Sequence, residues 1–344
     1  MRSQNRLMAR GCRYTIGSRS GTAERTFDET SLVVAPSDGA AIALAVRELA
    51  GVDGDGPTVR LVVPAANGKD VLVLSMLGAD GPTLLDTLRR CWLRARAEAL
   101  RLGGSGEGRP FLGSAAGLDK GDTPQPFQSL LFEDVLALAR DGKDVEPVFL
   151  ALTESVAFDA DVYAVRLREW PDREVVFSHL AKQTEAFVDR LRANRTLLAQ
   201  EAEAGLAQAV PQLAVGSRAA LAGMWLPGRL LPLGSMEELC SGFRDAFADH
   251  WLVGLLRANE GAHLLAWATP ERTWLGCSRE ESATGGPQLW MLAGKGEAWF
   301  LESLTDGDRA TYCFTGGDEM PVLVSSCSAR HSSPRRRSTA PWTC

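Results

Sequence analysis

Apolar and polar residues alternate over several short stretches of residues 27–205, with Gly, Pro, Asp and Asn between them. A period of two predicts half-buried strands. The pattern places strands at Ser31–Pro36, Ile42–Val46, Thr58–Val63 and Val71–Leu77. The period then lengthens. Leu84, Leu85, Leu88, Cys91, Trp92, Ala95 and Ala99 recur at helical spacing, with Asp86, Arg89, Arg90, Arg94 and Arg96 on the other side. Pro82 stands where a first helical turn tolerates a missing donor. A second run follows the same plan, with strands at Val135–Leu138, Val148–Leu152, Tyr163–Leu167 and Val175–Leu180. Thr184 is the expected N-cap of its helix, and Phe187, Val188, Leu191, Leu198 and Ala202 form the apolar stripe.

The two runs align with each other. ELAGVDGDGPTVRL (48–61) and ESVAFDADVYAVRL (154–167) match at six of fourteen positions with an offset of 106. LVLSMLGADGPTLLDTLR (72–89) and VVFSHLAKQTEAFVDRLR (175–192) match at six of eighteen with an offset of 103. The change of offset falls in a turn, PAANGK against EWPDR, where a length difference is cheapest. This reads as an internal repeat: a small antiparallel sheet followed by one amphipathic helix that covers its apolar face.

The strand–turn–strand periodicity, the LSxL/FSxL strand end and the closing helix (LSMLGADGPTLLDTLRR, FSHLAKQTEAFVDRLRA) resemble a tandem pair of pleckstrin-homology-like domains of bacterial type. The resemblance implies α+β units, each a small, partly open barrel closed by its C-terminal helix. Lipid-binding members of that family use Lys and Arg between their first two strands. The loops taken as equivalent here are APSDGAA, which has no base, and ARDGKDVEP, where Arg140 and Lys143 face Asp141, Asp144 and Glu146. Neutralised or absent cations argue against phosphoinositide binding.

The remaining segments complete a domain plan. Residues 1–26 are rich in arginine and serine with no apolar run, so they read as a disordered extension and not as a secretory signal. Residues 103–126 read as a Gly/Ser/Pro linker between units 27–102 and 127–205, with Phe111 and Leu112 as a possible docking point. Residues 206–328 hold six tryptophans: Trp225, Trp251, Trp267, Trp274, Trp290 and Trp299. They are expected as core or interface anchors of a third α+β unit, a diverged third copy being one form of it. Its candidate strands are Trp251–Leu256, Ala262–Ala268, Arg272–Gly276, Gln288–Leu292, Ala298–Ser303 and Ala310–Phe314, with a helix over Glu237–Phe247. Residues 329–344 read as a disordered basic tail.

Charge is placed unevenly. Residues 1–25 carry six arginines against one acid, and residues 329–344 four arginines and no acid. The residues between them therefore sum to −15 within a formal total of −6. Such a body repels nucleic acid and anionic lipid. No run of about 18 apolar residues is present to span a membrane. Seven scattered cysteines form no CxxC pair, which argues against a disulfide framework or a zinc site.

A search for chemistry finds little. His179, His250, His263 and His331 include no helical metal pair. His179 follows Ser178, and strand neighbours point to opposite faces, so the two are not expected to share a proton. VDGDG lacks the twelfth-position glutamate of a calcium loop, and the acids repeated at Glu48/Glu154, Asp53/Asp159 and Asp55/Asp161 suit a turn whose amides they hold. No catalytic, cofactor-binding or metal-binding residue is assigned, and no cofactor. The expectation is a non-enzymatic cytoplasmic scaffold whose partners are proteins, with neither nucleic acid nor stable membrane binding. The alternatives are a hydrolase with an interdomain carboxylate site, or a binder of anionic lipid.

Overall fold

The computed structural model describes residues 7–65, 68–100, 102, 108–116, 123–140, 144–248, 269, 271–281, 287–304 and 309–331. Over these residues the protein is α+β, with three antiparallel sheets and few helices. The first sheet has strands β1 (Leu7–Ile16), β2 (Arg19–Phe27), β3 (Ser31–Pro36), β4 (Ile42–Ala45), β5 (Gly51–Gly54), β6 (Val59–Ala65) and β7 (Gly68–Ser75), in the order β4-β3-β2-β1-β7-β6-β5. Helix α1 (Gly81–Ala99) follows. The second sheet has β8 (Arg109–Ala116), β9 (Gln125–Leu131), β10 (Val135–Arg140), β11 (Glu146–Phe149), β12 (Thr153–Asp159), β13 (Ala164–Glu169) and β14 (Arg173–Ser178). Its order is β11-β10-β9-β8-β14-β13-β12, and helix α2 (Thr184–Ala209) follows. The strand order is therefore the same twice.

Each half contains two strands more than the alternation of residues 27–205 supplied at its start: β1, β2 and β8 lie in the stretches expected as extension and linker, and most of β9 opens the second unit, where no strand is expected. In β1 and β2, Arg10, Arg13 and Arg19 are exposed while Cys12, Tyr14, Ala23 and Phe27 are buried, with Arg25 buried beside Ala23 and Phe27. The period of two is present there, but a high arginine content disguises it. Arg10 and Arg25 both pair with Asp80, so two of the N-terminal cations neutralise acid of the body. In β8, Phe111 is buried and Leu112 exposed, so Phe111 is core and not a docking point. Gly113 is required here: a Cβ would lie 2.6 Å from the Ser178 carbonyl oxygen and 2.9 Å from the Phe127 ring. The opposed positions on β1 and β8 trade volume. Tyr14 faces Leu74, whereas Ala115 faces Phe177.

The loops weighed above for phosphate binding join β3 to β4 and β10 to β11, not the first two strands. The first hairpin turns at Gly17–Ser18, next to the exposed Arg19. The base-free loop therefore says nothing about the first hairpin.

The strand-to-helix turns agree in detail. Met76 and Gly78 have φ of 56° and 62°, and His179 and Ala181 have φ of 55° and 49°. Each left-handed pair brackets a buried leucine, Leu77 or Leu180. These turns drive the chain from the last strand into the helix. Ala181 holds a conformation that costs an L-residue with a Cβ about 1 kcal/mol, and Gly78 holds the same conformation without that cost.

By backbone contact the chain forms two compact units, residues 1–132, 136–147 and 176–183, and residues 133–135, 148–175 and 184–344. In the first, α1 buries Leu84, Leu85, Leu88, Trp92 and Leu93. In the second, α2 runs without a break past residue 205, the boundary drawn from the sequence. Its last turns place Ala202 and Leu206 in one core with Leu221, Trp225, Met236, Phe243 and Leu275. Helices α3 (Val215–Ala222), α4 (Leu233–Leu239) and α5 (Phe243–Ala248) follow, so the helix expected over Glu237–Phe247 is broken near Cys240.

The third sheet runs β15 (Leu230–Pro232), β16 (Thr273–Glu281), β17 (Pro287–Lys295), β18 (Ala298–Leu304) and β19 (Arg309–Thr315) in chain order. Helix α6 (Met320–His331) ends the described chain, so the tail drawn from residue 329 begins within a helix. Trp225, Trp290 and Trp299 are core residues. The strands expected at Trp251–Leu256 and Ala262–Ala268, and Trp251 and Trp267 with them, lie outside the described residues.

Leu88 and Leu191 are both fully buried, at 0% exposure. Leu88→Ala or Leu191→Ala should cost about 2–5 kcal/mol by denaturant unfolding, from lost transfer energy and the cavity left behind. At the strand-to-helix turns the signs should oppose. Gly78→Ala should lose about 1 kcal/mol and Ala181→Gly gain a similar amount, since a Cβ at Gly78 meets nothing within 4 Å and only the backbone angle changes.

Candidate functional site

The repeated acids are occupied by backbone and by arginine. Asp53 accepts the Gly54 amide at 2.5 Å, Asp55 the Thr58 amide at 3.0 Å, and Asp159 the Asp161 amide at 3.1 Å. Arg60 pairs across the hairpin with Asp53 at 4.0 Å and Arg166 with Asp159 at 3.8 Å, so the matched Asp and Arg positions form the same cross-strand pair twice. These carboxylates hold turns. Among the described residues no group of three or more His, Cys, Asp or Glu stands ready for a metal ion.

Ser178 and His179 depart from expectation. β14 ends at Ser178, and the left-handed turn at His179 brings its Nδ1 to 3.1 Å from the Ser178 hydroxyl. They are not strand neighbours on opposite faces. The imidazole is exposed and the serine hydroxyl also reaches the Ser114 carbonyl at 3.5 Å. Of the other histidines, His250 and His263 lie outside the described residues, and His331 ends α6.

Two arginine constellations remain. The first lines a narrow open cleft of about 40 Å³ in the first unit, with Val52, Trp92, Phe127 and Gln128. Its two guanidiniums are engaged. Arg89 reaches Asp53 at 3.5 Å and the Gly54 carbonyl at 3.3 Å, and the buried Arg140 reaches Glu146 at 3.3 Å. Trp92 donates its Nε1–H to the Leu49 carbonyl at 2.9 Å. Helix α1 thus covers the short edge strand β5 with its own donors.

The second constellation lies in the second unit, around Glu154 on β12. Arg229 reaches Glu154 Oε1 at 3.2 Å and Arg168 reaches Oε2 at 3.6 Å. Arg195, on α2, feels the same carboxylate but makes no ion pair or hydrogen bond with the protein among the described residues. Burial pulls both Arg195 and Arg229 below the ordinary arginine value, against the opposing pull of Glu154. The Nε atoms of both are shut off from solvent and have no hydrogen-bond partner. Arg229 is only 3% exposed. In the alignment of offset 103, Arg195 takes the position of Trp92, so α2 brings an unused cation where α1 brings a used indole donor.

β12 itself is an end strand of its sheet, seven residues long, with neither Lys nor Pro. Ser155 and Ala157 are exposed and Glu154, Val156 and Phe158 half-buried. Its counterpart β5 has four residues, two of them glycine. The sequence reading placed no strand on either. The signal was the repeated ExxxxDxD, which was read as turn alone. Arg168, Arg195 and Arg229 carried no motif, and the substitution of Arg195 for Trp92 was the available hint.

Comparisons with known proteins add little. No family model matches the chain, and no curated protein does. Among solved structures it is similar to a chain titled "Vav1 inhibited by an allosteric inhibitor: Vav1 inhibitors block GEF activity", at 11% identity and a TM-score of 0.24. That match covers 33% of this chain and 39% of the other. No helix among the described residues is long and apolar enough to cross a membrane.

Trp92→Phe keeps the ring and deletes the donor to the Leu49 carbonyl. It should cost about 1–3 kcal/mol in denaturant unfolding, the price of a buried carbonyl left unpaired. A change within error would mean that water replaces the indole.

Proposed function

We propose that the chain is a non-enzymatic, cytoplasmic protein-binding protein of bacterial type, built from two pleckstrin-homology-like units in tandem and a tryptophan-rich third unit. Its work is to pair its main chain with an extended segment of a partner along β12. The observation that carries this is the contrast between the two end strands. A long, flat edge attracts unwanted strands, and proteins blunt such edges by shortening, charge or proline. β5 is short and its Gly54 carbonyl is taken by Arg89 of α1, whereas β12 is seven residues long and, past an irregularity at Thr153–Ser155, its residues Ser155–Phe158 carry neither charge nor proline. An edge left open in this way suits strand addition.

The identical strand order, the matched left-handed turns and the repeated Asp–Arg pairs support two copies of one unit. The hydrolase alternative loses its motive, since the matched carboxylates are taken up by amides and arginines. β19 is the other seven-residue end strand, but no cation cluster accompanies it among the described residues.

The test is selection of a phage-displayed library of random twelve-residue peptides on the full chain. A selected peptide should slow hydrogen–deuterium exchange along β12. Methylating its backbone nitrogens at alternate residues should abolish binding in one register and spare it in the other, because a strand pairs with alternate residues. Recovery of no peptide, or protection elsewhere with β12 unchanged, would sink the reading.

A further inference from the structure

We infer that the segment bound along β12 is acidic, and that one of its carboxylates seats on Arg195. This rests on β12 being the binding edge. The argument begins with a charge imbalance. Arg168, Arg195 and Arg229 share one carboxylate, Glu154. Arg168 has a second acid, Asp172, at 3.9 Å, but that side chain is almost wholly exposed and its attraction is screened. The nearby Glu169 belongs to Arg173, at 2.9 Å. A guanidinium does not lose its proton in a protein, so it cannot relieve burial by becoming neutral. Arg229 is buried and takes the nearer oxygen of Glu154. Arg195, half-buried with its Nε shut off from solvent, has no counterion within ion-pair distance among the described residues and stands near the buried Arg229.

This differs from ordinary arginine use in the same chain. Arg89, Arg140, Arg166 and Arg173 each have an acid within 4.0 Å. A cation taken partly out of water without such a partner is costly in proportion to its burial, and the cost falls when an anion arrives. A carboxylate accepts from a planar guanidinium through two parallel bonds, which the two terminal nitrogens of the half-buried Arg195 can supply. The source of the anion follows from the location. Helix α2 packs on β12, and Arg195 lies within electrostatic reach of Glu154, the second residue of that strand, so an anion carried on a strand laid along β12 arrives there as an Asp or Glu side chain. Glu154 itself disfavours a second acid by repulsion, which the three surrounding guanidiniums outweigh in number.

The same random twelve-residue library, selected in parallel on wild-type and Arg195→Gln protein, tests this. Peptides from the wild type should be enriched several-fold in Asp and Glu, with the enrichment lost on Arg195→Gln. A selected peptide should bind Arg195→Gln about tenfold more weakly, with part of the loss restored in Arg195→Lys. Without peptide, Arg195→Gln should melt no lower than wild type, because it removes an uncompensated charge. Selected peptides with no acidic bias, or with equal affinity for Arg195→Gln, would overturn the inference while leaving β12 as the binding edge. Recovery of no peptide at all would remove the edge and the inference together. Cosedimentation of the full chain with vesicles containing anionic lipid, lost in Arg195→Gln, would assign the cluster to a lipid headgroup and overturn it as well.

Discussion

The pairing of first strand with last, β1 with β7 and β8 with β14, is the constraint on which both sheets depend. Without it each half is a run of hairpins with two separate edges more. With it, Arg13 lies opposite Ser75 and Ser114 opposite Ser178, and seven strands become one sheet. That closure is long-range in sequence and costs loop entropy before it brings any burial. It leaves the fourth and fifth strands of each half as the two ends of the sheet, since among the described residues these do not pair with each other. The edge at β12 thus follows from the strand order, not from a local property of TESVAFD.

The turn after the last strand carries the closure into the helix. Its two left-handed residues reverse the chain within a few residues and set the phase at which the helix lands. Phase determines which side chains face inward. Leu88 and Leu191 then occupy the core, and the next turn of each helix presents Trp92 or Arg195. In the first half that position completes the structure, since the indole satisfies the Leu49 carbonyl. In the second half the same position brings a charge that the structure does not satisfy. One geometry therefore yields a closed strand end in one half and an open, cationic one in the other.

Arginine does three jobs in this chain, and burial separates them. Arg10, Arg25 and Arg96 tie acids of their own unit, Asp80 and Asp144. Arg60 and Arg166 brace hairpins. Arg195 and Arg229 lie where desolvation outweighs the single carboxylate that faces them. A net charge or a count of basic residues cannot distinguish these roles, because each depends on what stands within a few ångströms.

The sequence by itself determined the elements whose signal is local. The period-two strands from Ser31 onward, the two amphipathic helices, the tryptophan core of the third sheet and the amide-holding acids of the hairpins all follow from spacing. It hid β1, β2 and β8, where arginine or glycine interrupts the apolar alternation and only partners across the sheet show that Cys12, Tyr14 and Phe111 are inside, and it hid β5, β9 and β12 as well. It also drew a boundary at residue 205, within the last turns of α2, because helical period carries no mark of which core each turn will join. The meeting of Glu154, Arg168, Arg195 and Arg229 belongs to tertiary structure alone. These residues are up to 75 positions apart, no spacing rule links them, and their character comes from shared burial and a shared carboxylate.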